Sequence, residues 1–269
     1  MTMQAEIETH YSERQEEATR LSSTLNSRLE QARIQELLAR YLPEPPAEVA
    51  DLGGGPGDRA TWLTSQGYTV EFLDPVPHNI EQATAAGISA VLGDARCLPW
   101  DDEYFDAALL AGPRYHLAEA ADRRLALREA VRVIRLGGFV ALIAINRAAN
   151  LIGSTLANRP LQRRGITEEI PGDGYSAESE QMAQTTYHAT QLRTELTNAG
   201  LRSITIHGLT GPGGWLTAVL DAHFQDQRLP STLQEPDPLQ TALACSRLAD
   251  RYPELAPASS LLFAVGQRA

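Results

Sequence analysis

The sequence predicts an α/β protein built on a doubly wound, mostly parallel sheet. Three observations carry this expectation. Short apolar segments alternate with helix-like segments from residue 49 onward, the pattern of strands covered on both faces. A glycine-rich turn, Gly53-Gly54-Gly55-Pro56-Gly57, follows the first of these apolar segments. The next two strands each run into an acid, Asp74 and Asp94.

Residues 12–41 read as helical, because Ala18, Leu21, Leu25, Leu29, Ile34, Leu37, Leu38 and Tyr41 recur at helical spacing among Glu and Arg. Pro43 stops that helix, and Pro45-Pro46 makes a stiff connector. Strands are expected at about 49–52, 69–73, 88–92, 105–110, 138–145, 201–207 and 259–265. Helices are expected at about 58–66, 77–86, 118–135 and 189–199. The polar stretch 146–187 and the segment 208–257, with Gly211-Pro212-Gly213-Gly214-Trp215 and two helical patterns, read as insertions. The chain divides accordingly. Residues 1–46 form an N-terminal helical cap, 47–145 a core, and 146–188 a lid insertion. Residues 189–269 form the C-terminal part of the core, with a helical insertion at 208–257.

Composition narrows the function. The 269 residues are 43% hydrophobic and 21% charged, enough to bury a full core. The net charge of −11 disfavours a nucleic-acid or anionic-membrane partner. All 23 basic residues are arginine. Without lysine there is no Schiff-base chemistry and no Walker A phosphate site. Cys97 and Cys245 are too few for a disulfide framework, and the scattered histidines His78, His207 and His223 give no metal-ligand spacing. No apolar run approaches a membrane span, and the polar, acidic N-terminus is unlike a signal peptide, so a cytoplasmic location is expected.

The run Asp51-Leu52-Gly53-Gly54-Gly55-Pro56-Gly57 carries the most information. Its glycines let the backbone turn sharply and lie against a ligand, and the helix that follows offers free N–H groups. A dinucleotide fingerprint, G-x-G-x-x-G, fails from Gly53 because Asp58 stands in the third place. It survives only in the weaker frame Gly55, Gly57, Ala60. The run fits D-x-G-x-G-x-G instead. Gly93-Asp94-Ala95 follows the third strand, Pro99-Trp100-Asp101-Asp102-Glu103-Tyr104-Phe105-Asp106 leads into the fourth, and Leu136-Gly137-Gly138-Phe139 opens the fifth.

Together these motifs, over about residues 49–145 and the closing strands, resemble class I S-adenosylmethionine (SAM)-dependent methyltransferases. Leu136 and Gly137 depart from the family's usual proline turn. The resemblance implies a seven-stranded Rossmann-like sheet and SAM as cofactor, with S-adenosylhomocysteine (SAH) as product. It places Asp74 on the ribose hydroxyls and Asp94 on the adenine amine. Asp51, Gly53, Gly55, Gly57, Pro75, Gly93, Ala95 and Ala111 would face the cofactor too, and Tyr11 would reach it from the N-terminal segment. Each acid also has a local reading: Asp74 as a turn cap before Pro75, Asp94 as a solvated loop acid.

The segment Ala111-Gly112-Pro113-Arg114-Tyr115-His116-Leu117 resembles the "LGPLYHL" stretch of a bacterial small-molecule methyltransferase subgroup. There substrate meets cofactor. His116 is either a base or substrate orienter, or a structural hydrogen-bonding group. Tyr115 lines the acceptor pocket or only packs. Arg114 binds an acceptor carboxylate or is a surface charge, and it departs from the subgroup's leucine. Tyr187-His188 resembles the subgroup's aromatic-His pair, with His188 a candidate catalytic group and Tyr187 a substrate contact. Trp215 is an aromatic wall for the acceptor or a core residue.

The sequence therefore predicts a methyltransferase acting on an O, N or C nucleophile of a small-molecule metabolite, with a natural product or peptide acceptor open. The alternatives are a SAM-binding protein without methyl transfer, such as a cyclase, and a nicotinamide oxidoreductase. A monomer or a homodimer is expected.

Overall fold

A computed structural model describes residues 24–112, 117, 119–156, 170, 186–224 and 235–269. Its frame is the sheet. Strands β1 (Glu48–Leu52), β2 (Thr69–Asp74), β3 (Ser89–Leu92), β4 (Phe105–Leu110) and β5 (Ile134–Asn146) are parallel. The two-residue β6 (Thr186–Tyr187) precedes β7 (Leu201–Gly208) and β8 (Leu261–Arg268). The spatial order is β3-β2-β1-β4-β5-β8-β7, with β8 antiparallel to both neighbours. The chain winds outward from β1 to β3, then returns to place β4 on the other side of β1. The C-terminal ends of β1 and β4 therefore flank the switch point, where such sheets open a ligand crevice.

Both faces are covered, which is why the strands read as continuous apolar runs. On one face, Val49, Phe72, Ala107, Leu109, Ile143 and Phe263 pack against helices α1 (Leu25–Tyr41), α2 (Asp58–Ser65) and α3 (Pro77–Ala85). On the other, Ala50, Leu52, Leu73, Leu110 and Leu142 meet α4 (Ala120–Val133) and, beyond α5 (Asn150–Leu156), α6 (Ala189–Asn198). Neighbouring residues of one strand serve opposite layers, as the strand period requires.

The insertion 208–257 holds α7 (Gly213–Phe224) and α8 (Pro238–Ala249), and both pack on α1. A Cβ on Gly213 would lie 2.4 Å from the Ala242 carbonyl, and one on Gly214 2.3 Å from Thr210 Oγ1. These glycines exist for close approach of α7 to its neighbours. Asp221 of α7 accepts from the Leu25 and Asn26 amides at 3.0 and 2.8 Å, placing a negative charge on the N-terminus of α1.

Arg33 of α1 is fully buried. Its guanidinium donates to the Leu209 carbonyl at 3.1 Å, to Glu36 at 2.7 Å and to Asp250 at 2.7 Å. Asp250 lies 3.3 Å from His207 Nδ1, and the far side of that ring, Nε2, meets the Tyr41 hydroxyl at 2.6 Å. One ionic cluster thus clamps α1, β7 and the end of α8.

Several boundaries differ from the expectation. Among the described residues the sheet has eight strands rather than seven, because Ile145–Asn146 run past the end of β4 and Thr186–Tyr187 pair with that free edge. β5 begins at Ile134 rather than 138, with an irregular register against β4 between Phe105 and Ala107. The last strand begins at Leu261, since Ser259 turns aside to accept from the Thr210 and Gly211 amides. No helix among the described residues is long and apolar enough to cross a membrane.

The clamp gives stability a defined pH dependence. Burial pushes the Asp250 carboxyl up, but hydrogen bonds from His207 and Arg33 outweigh it and bring it down to about 2. That contribution is complete above the unfolded value near 4 and is lost as pH falls toward 2. Glu30 has the opposite sign: burial and the Asp221 charge push it up to about 7, against a hydrogen bond from Asn26. Its contribution is complete below about pH 4.5 and fades as pH rises through 7. In urea unfolding across pH 2.5–8, Asp250→Ala should cost about 1.5–3 kcal/mol at neutral pH, because it removes one of the two carboxylates that the buried Arg33 holds. Glu30→Gln should flatten the decline between pH 4.5 and 7.

Candidate active site

The crevice is built from the turn outward. Gly53, Gly55 and Gly57 have φ of 69°, 62° and 89°, a left-handed region that a side chain strains. The Gly53 amide donates to the Leu73 carbonyl at 2.6 Å, and the Gly55 amide donates to Asp74 Oδ2 at 3.1 Å. The turn is thus fastened to the end of β2 at two points. Gly57 is the N-cap of α2 and uses no side chain to cap it, so the first amides of α2 face the crevice mouth.

Two glycines of the turn have different reasons to be glycine. A Cβ on Gly54 would fall 2.4 Å from Phe72 Cε2 and 2.6 Å from Asp51 Oδ2, so the turn lies directly on Asp51. A Cβ on Gly55 would meet nothing within 4 Å. Gly55 therefore leaves a space that a ligand can use.

Asp51, next to last in β1, is fully buried. Arg59, from the first turn of α2, donates to its Oδ1 at 3.0 and 3.2 Å, while Oδ2 has no hydrogen-bond partner among the described residues. An orphaned buried carboxylate oxygen at a crevice suits a bound donor group. Asp74 ends β2 nearly buried, and its Oδ1 accepts from the Val76 amide and Asn79 Nδ2, both at 2.9 Å. Burial pushes its carboxyl up, and the hydrogen bonds from Val76, Asn79 and Gly55 oppose that. Its Oδ2, with one bond from Gly55, keeps a lone pair for a hydroxyl donor.

Gly93 leads from β3 to Asp94, where a Cβ would strike Leu73 Cδ1 at 2.8 Å. Asp94 is half-exposed and paired with Arg96. Ala95 packs under the loop against Leu117 and Ala126. Pro75 sits partly buried between Asp74 and α3, and Ala111 leaves β4 against the packed face of the sheet.

On the acceptor side the described residues are fewer. Tyr187 is buried in β6, and His188 is exposed as the N-cap of α6, with no side-chain cap bond. Trp215 is partly buried and donates from Nε1 to the Ala258 carbonyl at 2.6 Å. A Cβ on Gly153 would lie 3.6 Å from its ring, so α5 and α7 approach each other there. Tyr11, Arg114, Tyr115 and His116 lie outside the described residues, as does most of the 146–188 lid. Sequence reasoning passed over Arg59, Asn79 and Arg96, which hold the three acids. Only short spacing hinted at them: each lies within eight residues of its acid.

Residues 50–142 match the family model described as "Methyltransferase domain". An uncharacterised methyltransferase of Mycobacterium tuberculosis is 36% identical over 110 residues, 40% of this chain and 44% of the relative. The chain thus spans under half the length of that relative. A ubiquinone/menaquinone biosynthesis C-methyltransferase of Azotobacter vinelandii is 29% identical over 182 residues, 61% of this chain and 69% of the relative. Among solved structures, a SAM-dependent methyltransferase of Thermotoga maritima, described as a possible histamine N-methyltransferase, has a TM-score of 0.60 at 15% identity. The match covers 97% of this chain and 99% of that one. Residues 50–142 thus match a methyltransferase domain, and the sheet has the Rossmann-like fold of the solved methyltransferases.

The turn makes two glycine substitutions separable. Gly54→Ala should lower stability by about 1–3 kcal/mol in urea unfolding, through overpacking against Phe72 and Asp51. Gly55→Ala should cost about 1–2 kcal/mol from its backbone conformation alone, because its methyl enters open space.

Proposed function

We propose that this protein is a SAM-dependent methyltransferase whose acceptor is a small-molecule metabolite with an oxygen, nitrogen or carbon nucleophile. The observation that carries the reading is the pair of acids, Asp74 and Asp94, at the ends of adjacent strands beside a turn fastened to one of them. Two hydrogen-bond-accepting carboxylates next to exposed helix amides suit a ligand with hydroxyl and amine donors at one end and a carboxylate at the other. The relatives' descriptions support a small acceptor, because one names a quinone-pathway C-methyltransferase and another a possible histamine N-methyltransferase.

When bound, SAM supplies a methyl group on a sulfonium, ready for displacement by a nucleophile held in line with it. The protein's share is to bind, orient and exclude water. Asp74 takes the ribose hydroxyls and Asp94 the adenine amine. The backbone of Gly53–Gly57 and the free amides of the first turn of α2 line the amino-acid end, with Asp51 beneath. His116 accepts the acceptor's proton where one must leave, and Tyr115, Arg114, Tyr187, His188 and Trp215 shape the acceptor side. Tyr11 closes over the cofactor from the N-terminal cap. The insertions at 146–188 and 208–257 select the acceptor.

The test incubates the protein with SAM and separate phenol, quinol, amine and carboxylate acceptors, and measures SAH. One acceptor class should release SAH in proportion to enzyme. Bound SAM with no acceptor-dependent SAH from any class would contradict methyl transfer. In calorimetry, Asp74→Ala should weaken SAM binding at least ~10-fold, through loss of charge-assisted hydrogen bonds. His116→Ala should lower turnover more than SAM affinity.

A further inference from the structure

Arg96 stands two residues after Asp94 and folds back onto it. Its Nε lies 3.0 Å from each carboxylate oxygen, and its NH2 lies 2.6 Å from Oδ2. The Arg96 amide also donates to Oδ1 at 2.8 Å, closing a tight Asx turn. The remaining arm of the guanidinium, NH1, donates to Asp122 at 2.6 Å. Asp122 lies in the first turn of α4. One arginine thus bridges two carboxylates from different elements.

The surroundings make the bridge directional. The Cys97 amide donates to the Asp94 carbonyl at 3.0 Å, fixing the loop backbone. Ala95 is buried against Leu117 and against Ala126 of α4, so the loop is packed on the helix. Leu98 hangs from the same helix, its amide donating to Glu129 at 2.9 Å. The Asp94 side chain is 46% exposed. Without the guanidinium its carboxylate would keep the Asx turn and lose its fixed plane.

We propose that Arg96 is a positioning residue: braced by Asp122, it fixes the plane of the Asp94 carboxylate so that one outward lone pair meets the exocyclic amine of adenine. The inference rests on the SAM reading of the crevice. Arg96 touches no ligand itself. Its amide, Nε and NH2 occupy three of the roughly four lone-pair sites of the Asp94 carboxylate and leave one as an acceptor, so the site demands a donor at that position of the base. Adenine presents an N–H there. Hypoxanthine presents a carbonyl oxygen, which a fixed carboxylate repels. The Arg96 hydrogen bonds outweigh the effect of burial and hold the Asp94 carboxyl below the ordinary range, so it stays an acceptor through mildly acid pH.

The experiment measures binding of SAH and of S-inosylhomocysteine to the full chain by calorimetry, in wild type, Arg96→Ala and Asp122→Asn. Wild type should prefer SAH by at least ~10-fold. Arg96→Ala should lose most of that preference, chiefly through weaker SAH binding. Asp122→Asn, which leaves the Asp94–Arg96 pair intact, should lose about half of it on a logarithmic scale. Equal weakening of both ligands in Arg96→Ala, with the preference retained, would make Arg96 only a structural staple and overturn the proposal. Asp122→Asn also serves if Arg96→Ala does not fold: an unchanged preference in it removes the brace. Wild type that binds SAH without preference would remove Asp94 from the base and this inference with it. Wild type that binds neither ligand would defeat the SAM reading itself.

Discussion

The hydrogen bond from the Gly55 amide to Asp74 holds the crevice together. It joins the turn after β1 to the acid that ends β2, and it forms only because the turn can adopt positive φ at three glycines. With the turn in that position, Gly54 lies on Asp51, and Arg59 of α2 has its carboxylate within reach. α2 then points its N-terminus at the switch point of the sheet. A side chain at Gly54 would press on Phe72 and the buried acid together.

Arginine does the rest of the fastening. Arg33 is buried between α1, β7 and α8, and Arg59 holds Asp51. Arg132 reaches Glu129 and Asp102 at 2.8 Å and the Trp100 carbonyl at 2.8 Å, tying the loop before β4 to α4. Each uses several donors in one plane, which an ammonium cannot match. In a chain whose 23 cations are all arginine, the ionic framework is made of forks rather than point charges.

The sequence made the sheet legible because parallel strands buried on both faces leave apolar runs that glycine turns and acids punctuate. The glycine turn, Asp74 and Asp94 fell where their motifs placed them, at the ends of β1, β2 and β3. What escaped was what depends on distant partners. Arg33 reads as a solvated helix residue until Asp250 and the Leu209 carbonyl come to it through the fold. Thr186–Tyr187 carries no strand pattern, and its pairing follows from the overhang of β5. Gly213-Gly214 reads as part of a loop in the insertion and proves to be a packing contact, as the approach of Ala242 and Thr210 requires. His207 has no acid near it in sequence and one at 3.3 Å in space.

The central claim is that the crevice between β1, β2 and β3 is shaped for SAM. Thermal unfolding of the purified protein with SAM, SAH and NADH in parallel tests it most directly. A ligand at ~100 times its dissociation constant stabilises the folded state by about 2.7 kcal/mol, which raises Tm by several degrees in a chain of this size. The account predicts that shift with SAM and SAH and none with NADH. A shift with NADH alone would contradict it and make Gly55, Gly57 and Ala60 the register that binds.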